Sequence, residues 1–491
     1  MKLLRTKPVE QSIRDTEEPG HRLRRELSAT DLVVFGVGVI VGTGIFVLTG
    51  RVARDYAGPG VAFSFAFAAV ACALAALCYA EFASTLPVAG SAYTFSYATF
   101  GEFPAWIIGW DLILELALAA AVVAVGWSGY ARSLLDTMGI ELPAAMAGED
   151  AVFNVPAVLV VLLVTAVLVL GIKLSSRFNE VVVAIKVGVI LLVIVAGLFH
   201  VKAANYSPFI PPSESNPATE GIKAPLMQVL FGITPVSFGW LGVFAAVSVV
   251  FFAFIGFDIV ASAAEEARRP QRDMPLGIIG SLAVCTLLYV AVALVVVGMQ
   301  NYRLLSQDAP LADAFKAVGQ SWAATVISVG AIAGLTTVVL ILMLGQSRVF
   351  FAMSRDGLLP GWLSAVHPVY GTPYRTTVGV GVAVALLAGL IPLSALAELV
   401  NIGTLFAFVV VSVGVLILRR TRPDLPRAFR TPLVPLVPVL SVLACLFVMV
   451  NLPVETWLRF LAWLAAGAVL YFAYGHRHSR LGRSRTRVTS G

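Results

Sequence analysis

The sequence predicts an all-α polytopic membrane protein with twelve transmembrane helices, on composition, on the length of its apolar blocks and on their repetition. Hydrophobic residues make up 59% of the 491, charged residues only 13%, and the mean hydropathy is +0.90. An ordinary soluble domain is about 25% charged, so a water-facing surface would be poorly served here. The apolar residues come in blocks such as Val155–Leu170, Val181–Phe199, Leu282–Val297, Ala323–Leu344 and Val434–Val450. A helix needs about 20 apolar residues to cross a hydrocarbon core of about 30 Å. Blocks of that length along the whole chain make buried helices of a soluble protein a poor alternative.

Spans are expected near residues 31–54, 59–86, 101–132, 154–171, 179–200, 241–265, 276–299, 322–354, 375–391, 395–418, 433–452 and 455–475. The third and eighth are long, which predicts tilt. The organisation that follows is an N-terminal tail (1–30), a five-helix set (31–200), a second five-helix set (241–418), two additional helices (433–475) and a basic tail (476–491). Residues 1–30 are charged and the first apolar run begins only at Leu32, so a cleavable signal peptide is not expected. Cytoplasmic loops hold the excess of Lys and Arg. With the N-terminus inside, 25 basic residues fall on the cytoplasmic side and 8 outside, which predicts both termini in the cytoplasm. The net charge of +6 then reports topology, with the lipid bilayer as partner and no nucleic acid required.

Cys72, Cys78, Cys285 and Cys445 all fall inside apolar spans without CxxC spacing and read as packed thiols. The five histidines sit in tails, loops or span ends. Neither a metal constellation nor a nucleophile–base pair emerges, so no enzyme, no metal and no organic cofactor is expected.

Span one is interrupted at Gly36-Val-Gly-Val-Ile-Val-Gly42-Thr43-Gly44-Ile45-Phe46, four glycines in nine residues at mid-membrane. Glycine costs up to about 1 kcal/mol against alanine in a helix interior. A broken helix at that depth survives only where its freed backbone groups line a cavity or contact protein. Close packing through Gly38 and Gly42 is the competing reading. A dinucleotide fingerprint is set aside, because the third glycine falls one position late and no strand precedes it. Span six has its own break at Phe254-Ile255-Gly256-Phe257-Asp258. Spans one and six open the two five-helix sets, and interruptions at matching positions in two halves point to a transporter site. Half-helix N-termini offer amide protons to an anion and unwound carbonyls receive a cation. The zwitterionic group of an amino acid needs both.

Lys186 lies inside span five, in Val-Val-Val-Ala-Ile-Lys-Val-Gly-Val-Ile. It reads either as a lysine snorkelling to the interface or as a titrating group that couples transport to protons. Glu115, among leucines in span three, is a counter-charge, a proton relay or a structural hydrogen-bond partner. Asp258 reads first as a structural partner for the loosened backbone, and Asp111 and Glu81 as packing or anchoring groups. The run Glu265-Glu266-Ala-Arg-Arg-Pro-Gln-Arg-Asp-Met-Pro reads as a solvated turn, with gating salt bridges to Arg355 or Asp356 as the alternative.

The ordered motifs resemble a family. Gly42-Thr-Gly-Ile-Phe, Phe252-Ala-Phe-Ile-Gly-Phe-Asp258 with Ala264-Glu-Glu-Ala-Arg-Arg-Pro-Gln-Arg-Asp-Met-Pro-Leu-Gly-Ile278, and Gln346-Ser-Arg-Val-Phe-Phe-Ala-Met-Ser-Arg-Asp-Gly-Leu-Leu-Pro360 are similar to the amino acid–polyamine–organocation (APC) superfamily. Leu77-Cys-Tyr-Ala-Glu-Phe-Ala83, Gly90-Ser-Ala-Tyr93 and Asn401-Ile-Gly-Thr-Leu-Phe-Ala407 resemble its cationic amino acid transporter (CAT) family, in the bacterial branch. The resemblance, over about residues 20–475, implies a 5+5 inverted repeat with broken helices 1 and 6, followed by two extra helices, in a bacterial inner membrane. It implies that Thr43 and Gly44 amides, beside Gly42, bind the substrate carboxylate. Carbonyls of Ile40, Phe252 and Ile255, beside Gly256, would take the α-ammonium. Lys186 would stand where sodium-driven relatives hold a cation, and Leu342 would line the side-chain pocket.

The expected function is therefore proton-coupled symport of small neutral L-amino acids such as alanine, with Lys186 and Glu115 as coupling residues and the proton as coupling ion. An apolar Leu342, with no acidic residue near the expected pocket, argues against arginine or lysine. Amino acid exchange and cationic substrates remain the alternatives within transport. A membrane amino acid sensor is the alternative outside it, disfavoured by the short tails. A channel would want polar rings in place of one enclosed site. A small membrane-protein partner or a homo-oligomer is left open.

Overall fold

The computed structural model describes residues 26–88, 90–148, 151–171, 176–216, 220–234, 236–368 and 370–481, with residues 5, 6 and 10. Most of the expected tail at 1–30 and the last ten residues of the tail at 476–491 lie outside the described residues.

The chain is a helical polytopic membrane protein. Eight of its described helical segments are long and apolar enough to cross a bilayer, and four shorter apolar helices fall on expected spans: Ala29–Ile40, Val155–Val169, Tyr374–Leu390 and Leu436–Val450. The two segments expected to be long are so, Glu102–Thr137 with 36 residues and Ser321–Arg355 with 35. Leu159, Leu163, Leu287, Leu386, Leu443 and Leu458 point outward. In water such a surface would aggregate; in lipid it needs no cover.

The helix of span seven (Pro270–Met299) lies against span two (Val61–Thr85) and the first half of span one. Span three packs on span eight and on span ten (Leu393–Thr421), while span four packs on span nine. Glu81 joins span two to span ten. Its buried carboxylate accepts two bonds from Arg419, at 2.9 and 2.7 Å, and one from the Thr431 amide at 2.8 Å. The residue expected to be an anchor is thus one, and the loop after span ten is what it anchors.

Several connections carry structure that periodicity did not announce. A short helix, Ser91–Thr99, links spans two and three. Between spans five and six, strands Glu214–Ser215 and Val236–Ser237 pair antiparallel around a further helical turn at Leu226–Phe231. Spans one and two meet in a single 3-10 turn at Gly58–Gly60, where Gly58 has φ +60°.

Candidate functional site: a cavity at two helix breaks

The first helix of span one runs from Ala29 to Ile40, and its last backbone bond is Val41 N–H to Val37 O at 2.9 Å. Val41 is extended, and the chain turns helical again at Thr43. The break therefore sits at Val41–Gly42, at the start of the Gly42–Gly44 stretch, and Thr43 and Gly44 already belong to the second half-helix. In span six, a 3-10 turn at Phe251–Phe254 ends at an extended Ile255, and Gly256 follows at φ +126°, a conformation that favours glycine. Phe257 restarts the helix.

Backbone accounting shows what the first break frees. In an unbroken helix the amides of residues 42, 43 and 44 would bond the carbonyls of 38, 39 and 40. Ile45 and Phe46 instead both donate to Gly42 O, at 3.2 and 3.3 Å. Among the described residues no backbone carbonyl accepts from the Gly42, Thr43 and Gly44 amides. Two of the freed carbonyls are claimed from other spans. Lys186 Nζ donates to Gly38 O at 2.6 Å, and the Tyr289 hydroxyl lies 2.6 Å from Ile40 O. Tyr289 also reaches Ala253 O at 2.8 Å, so one phenol bridges both broken helices.

Between the breaks is a small cavity of about 20 Å³, which Ile40, Gly42, Thr43, Gly44, Phe252, Ile255 and Leu342 all line. These are seven of the eight expected substrate-binding positions. Gly256 does not line it: its ideal Cβ would sit 2.8 Å from Val39 Cγ1, so it packs the two breaks together from behind. Val39, Ala119, Val123 and Val338 complete the wall. Apart from the Thr43 hydroxyl, every side chain in the wall is apolar. Thr43 Oγ1 is buried without a hydrogen-bond partner among the described residues. The arrangement offers helix-N-terminal amides for an anion and an apolar enclosure beside them, while the Ile40 and Phe252 carbonyls already accept from Tyr289 and from the Ile255 amide.

The glycines do separate jobs. A Cβ on Gly44 would sit 2.3 Å from Ala253 Cα, so this glycine lets spans one and six touch backbone to backbone. A Cβ on Gly42 would meet Val338 at 3.6 Å and Ile40 O at 4.0 Å, both ordinary contacts, so its missing side chain leaves cavity space open. Lys186, fully buried, stands behind the cavity wall, and its stem runs over Gly334, whose Cβ would be 2.8 Å from Lys186 Cγ. Asp258 accepts from the Gly256 amide at 3.2 Å, a bond that ties the turn together. Glu115 and Asp111 are buried in span three, Glu115 beside the Thr404 hydroxyl, and the Asp111 carboxylate has no hydrogen-bond partner among the described residues. At the solvated turn, Glu266 pairs with Arg348 at 3.6 Å, while Asp356 receives the Tyr93 hydroxyl at 2.7 Å.

The sequence reading missed Tyr289, Val39, Ala119, Val123 and Val338. Tyr289 had a signal: a phenol inside the apolar run Leu282–Val297 needs a partner. The other four had none, being apolar residues in apolar helices.

Fold and cavity together define a multi-pass membrane carrier for a small molecule. Residues 27–472 match the amino acid permease family, and the chain belongs to that family, within the APC superfamily: it is an amino acid transporter and not an enzyme. It is 49% identical over 467 residues to the branched-chain amino acid permease BcaP of Bacillus subtilis, covering 94% of this chain and 95% of the relative. It is 47% identical to the methylthioribose transporter of the same organism, covering 98% and 99%. The vacuolar cationic amino acid transporter 4 of Arabidopsis thaliana is 39% identical, with 86% of this chain and 68% of the relative covered.

Proposed function

We propose that this permease is a proton-coupled symporter of small neutral L-amino acids such as alanine, working by alternating access in a bacterial cell membrane with both termini cytoplasmic. The observation that carries the reading is the cavity at the two breaks, where the Gly42, Thr43 and Gly44 amides, without a backbone acceptor among the described residues, meet a wall of apolar side chains. The substrate carboxylate sits on the Gly42–Gly44 amides, and its ammonium faces the Ile40, Phe252 and Ile255 carbonyls. Its side chain points toward Leu342, Val338 and Val123. An arginine or lysine side chain would find no acidic partner in this wall.

Lys186 is the coupling group in this reading, with Glu115 as a second one. Protonated, Lys186 holds Gly38 O and so fixes the freed end of the first half-helix; deprotonated, it releases that end and the substrate with it. The two five-helix sets, 31–200 and 241–418, are the repeats that exchange access. The test is uptake into proteoliposomes of labelled alanine, valine, leucine, arginine and methylthioribose, each with and without an inward proton gradient. Gradient-driven alanine accumulation supports the proposal, whereas arginine as the best substrate, or uptake indifferent to the gradient, overturns it. Branched-chain amino acids are the second reading, favoured by the similarity to BcaP, and leucine outcompeting alanine in the same panel would select it.

A further inference from the structure

The loop between spans five and six carries an apolar surface that no part of the described chain covers. Leu226–Phe231 forms a short helix closed by Gly232 at φ +64°. Val229, Leu230 and Phe231 project from it, Leu230 at 65% and Phe231 at 71% exposure. Residues of this kind on a loop facing water would be costly to leave uncovered.

The depth of this turn is fixed by backbone pairing. Leu226 N–H donates to Leu452 O at 2.9 Å, and Val454 N–H donates to Ala224 O at 3.1 Å. Leu452 and Val454 form the connection between spans eleven and twelve, at the end of span twelve remote from the C-terminal tail. The turn therefore lies level with the end of the bilayer opposite the chain termini. An exposed aromatic band marks the same level. Trp240, at the start of span six, stacks on Phe63, at the start of span two, with ring centroids 5.9 Å apart. Trp240 also packs on Phe244, which contacts Phe67 and Phe447. Aromatic side chains gather where headgroups meet acyl chains. Beside the turn is an open groove whose wall is apolar at Ile222, Ala224, Val229, Ile233 and Val454 and polar at Glu220 and Gln228. Val454, in that wall, begins span twelve, whose outward-facing Leu458 and Leu461 follow one and two turns further along.

We propose that Leu226–Gly232 is a membrane-interface anchor whose side chains Val229, Leu230 and Phe231 insert into the acyl-chain boundary of the leaflet opposite the termini. Continuity through Val454 with the lipid-facing Leu458 and Leu461 of span twelve, at the level of the aromatic band, selects lipid as what covers the turn. The loop then acts as a strap held in the membrane at one end. Its other end is fastened to span one, because Phe238 N–H donates to Tyr56 O at 2.7 Å.

The test places a nitroxide on Phe231→Cys in proteoliposomes and measures collision with oxygen, which concentrates in lipid, and with a water-soluble nickel chelate. Cys72, Cys78, Cys285 and Cys445 are all buried, which confines labelling to the new thiol. Ser213→Cys, on an exposed polar residue of the same loop outside the groove, is the aqueous reference. The oxygen-to-chelate collision ratio should be several-fold higher at 231 than at 213. Equal ratios would return the turn to water. A label at 231 shielded from both reagents would mean that protein, a second copy or another chain, covers the face; either result overturns the proposal.

Discussion

Removing the charge at position 186 while keeping its volume is the sharpest probe of the coupling scheme. Lys186→Met leaves a side chain of similar length over Gly334 but takes the donor away from Gly38 O, now 2.6 Å from Nζ. Gly38 O lost its intrahelical partner to the break, so the variant leaves a buried carbonyl unsatisfied, at a cost of about 1–3 kcal/mol. If that cost falls on the substrate-binding shape, affinity drops by about 5- to 150-fold. The coupling scheme demands a second effect, loss of accumulation driven by a pH gradient while exchange of internal for external substrate persists. Lys186→Arg separates charge from titration, because a guanidinium with pKa above about 12 has no proton to release in the working range. It should exchange substrate and fail to accumulate it. The assay is proteoliposome uptake and counterflow for wild type and both variants, at matched reconstituted protein. Wild-type accumulation by either variant would refute the scheme and move the coupling group to Glu115.

Other perturbations follow from the same geometry. Gly44→Ala forces a methyl to within 2.3 Å of Ala253 Cα and should cost about 1–3 kcal/mol or more, read as a lower melting temperature in detergent. Gly42→Ala should fold normally, since its Cβ meets Val338 at 3.6 Å, but the added methyl narrows the cavity. It should disfavour leucine relative to alanine by about 10- to 200-fold in competition assays; unchanged selectivity would mean that the cavity is not the side-chain pocket. Tyr289→Phe removes the hydroxyl shared by Ile40 O and Ala253 O and should weaken substrate binding by about 1–3 kcal/mol, measured by titration of the purified protein. Glu81→Ala strands Arg419 and Arg427 and should destabilise the protein by about 3–5 kcal/mol with substrate affinity intact at the site, the melting temperature and a binding isotherm giving the two readouts.

Much of this protein is determined by local sequence, because lipid imposes a simple code. A segment about 20 residues long without charge has few fates in a membrane, so helix positions were legible from composition. The breaks were legible too, since glycine and an unpaired backbone leave marks on the sequence wherever a helix must stop at depth. Which groups answer the break was decided only by the tertiary structure. Lys186 and Tyr289 lie 148 and 249 residues from the carbonyls they reach, and no periodicity carries a pairing over that distance. The cavity wall is the extreme case. Ala119, Val123 and Val338 look in sequence like any other residue of an apolar helix, whether they face lipid, a neighbouring helix or a substrate. In a membrane all three environments select the same side chains, so only the packing of spans three and eight against the two breaks tells them apart.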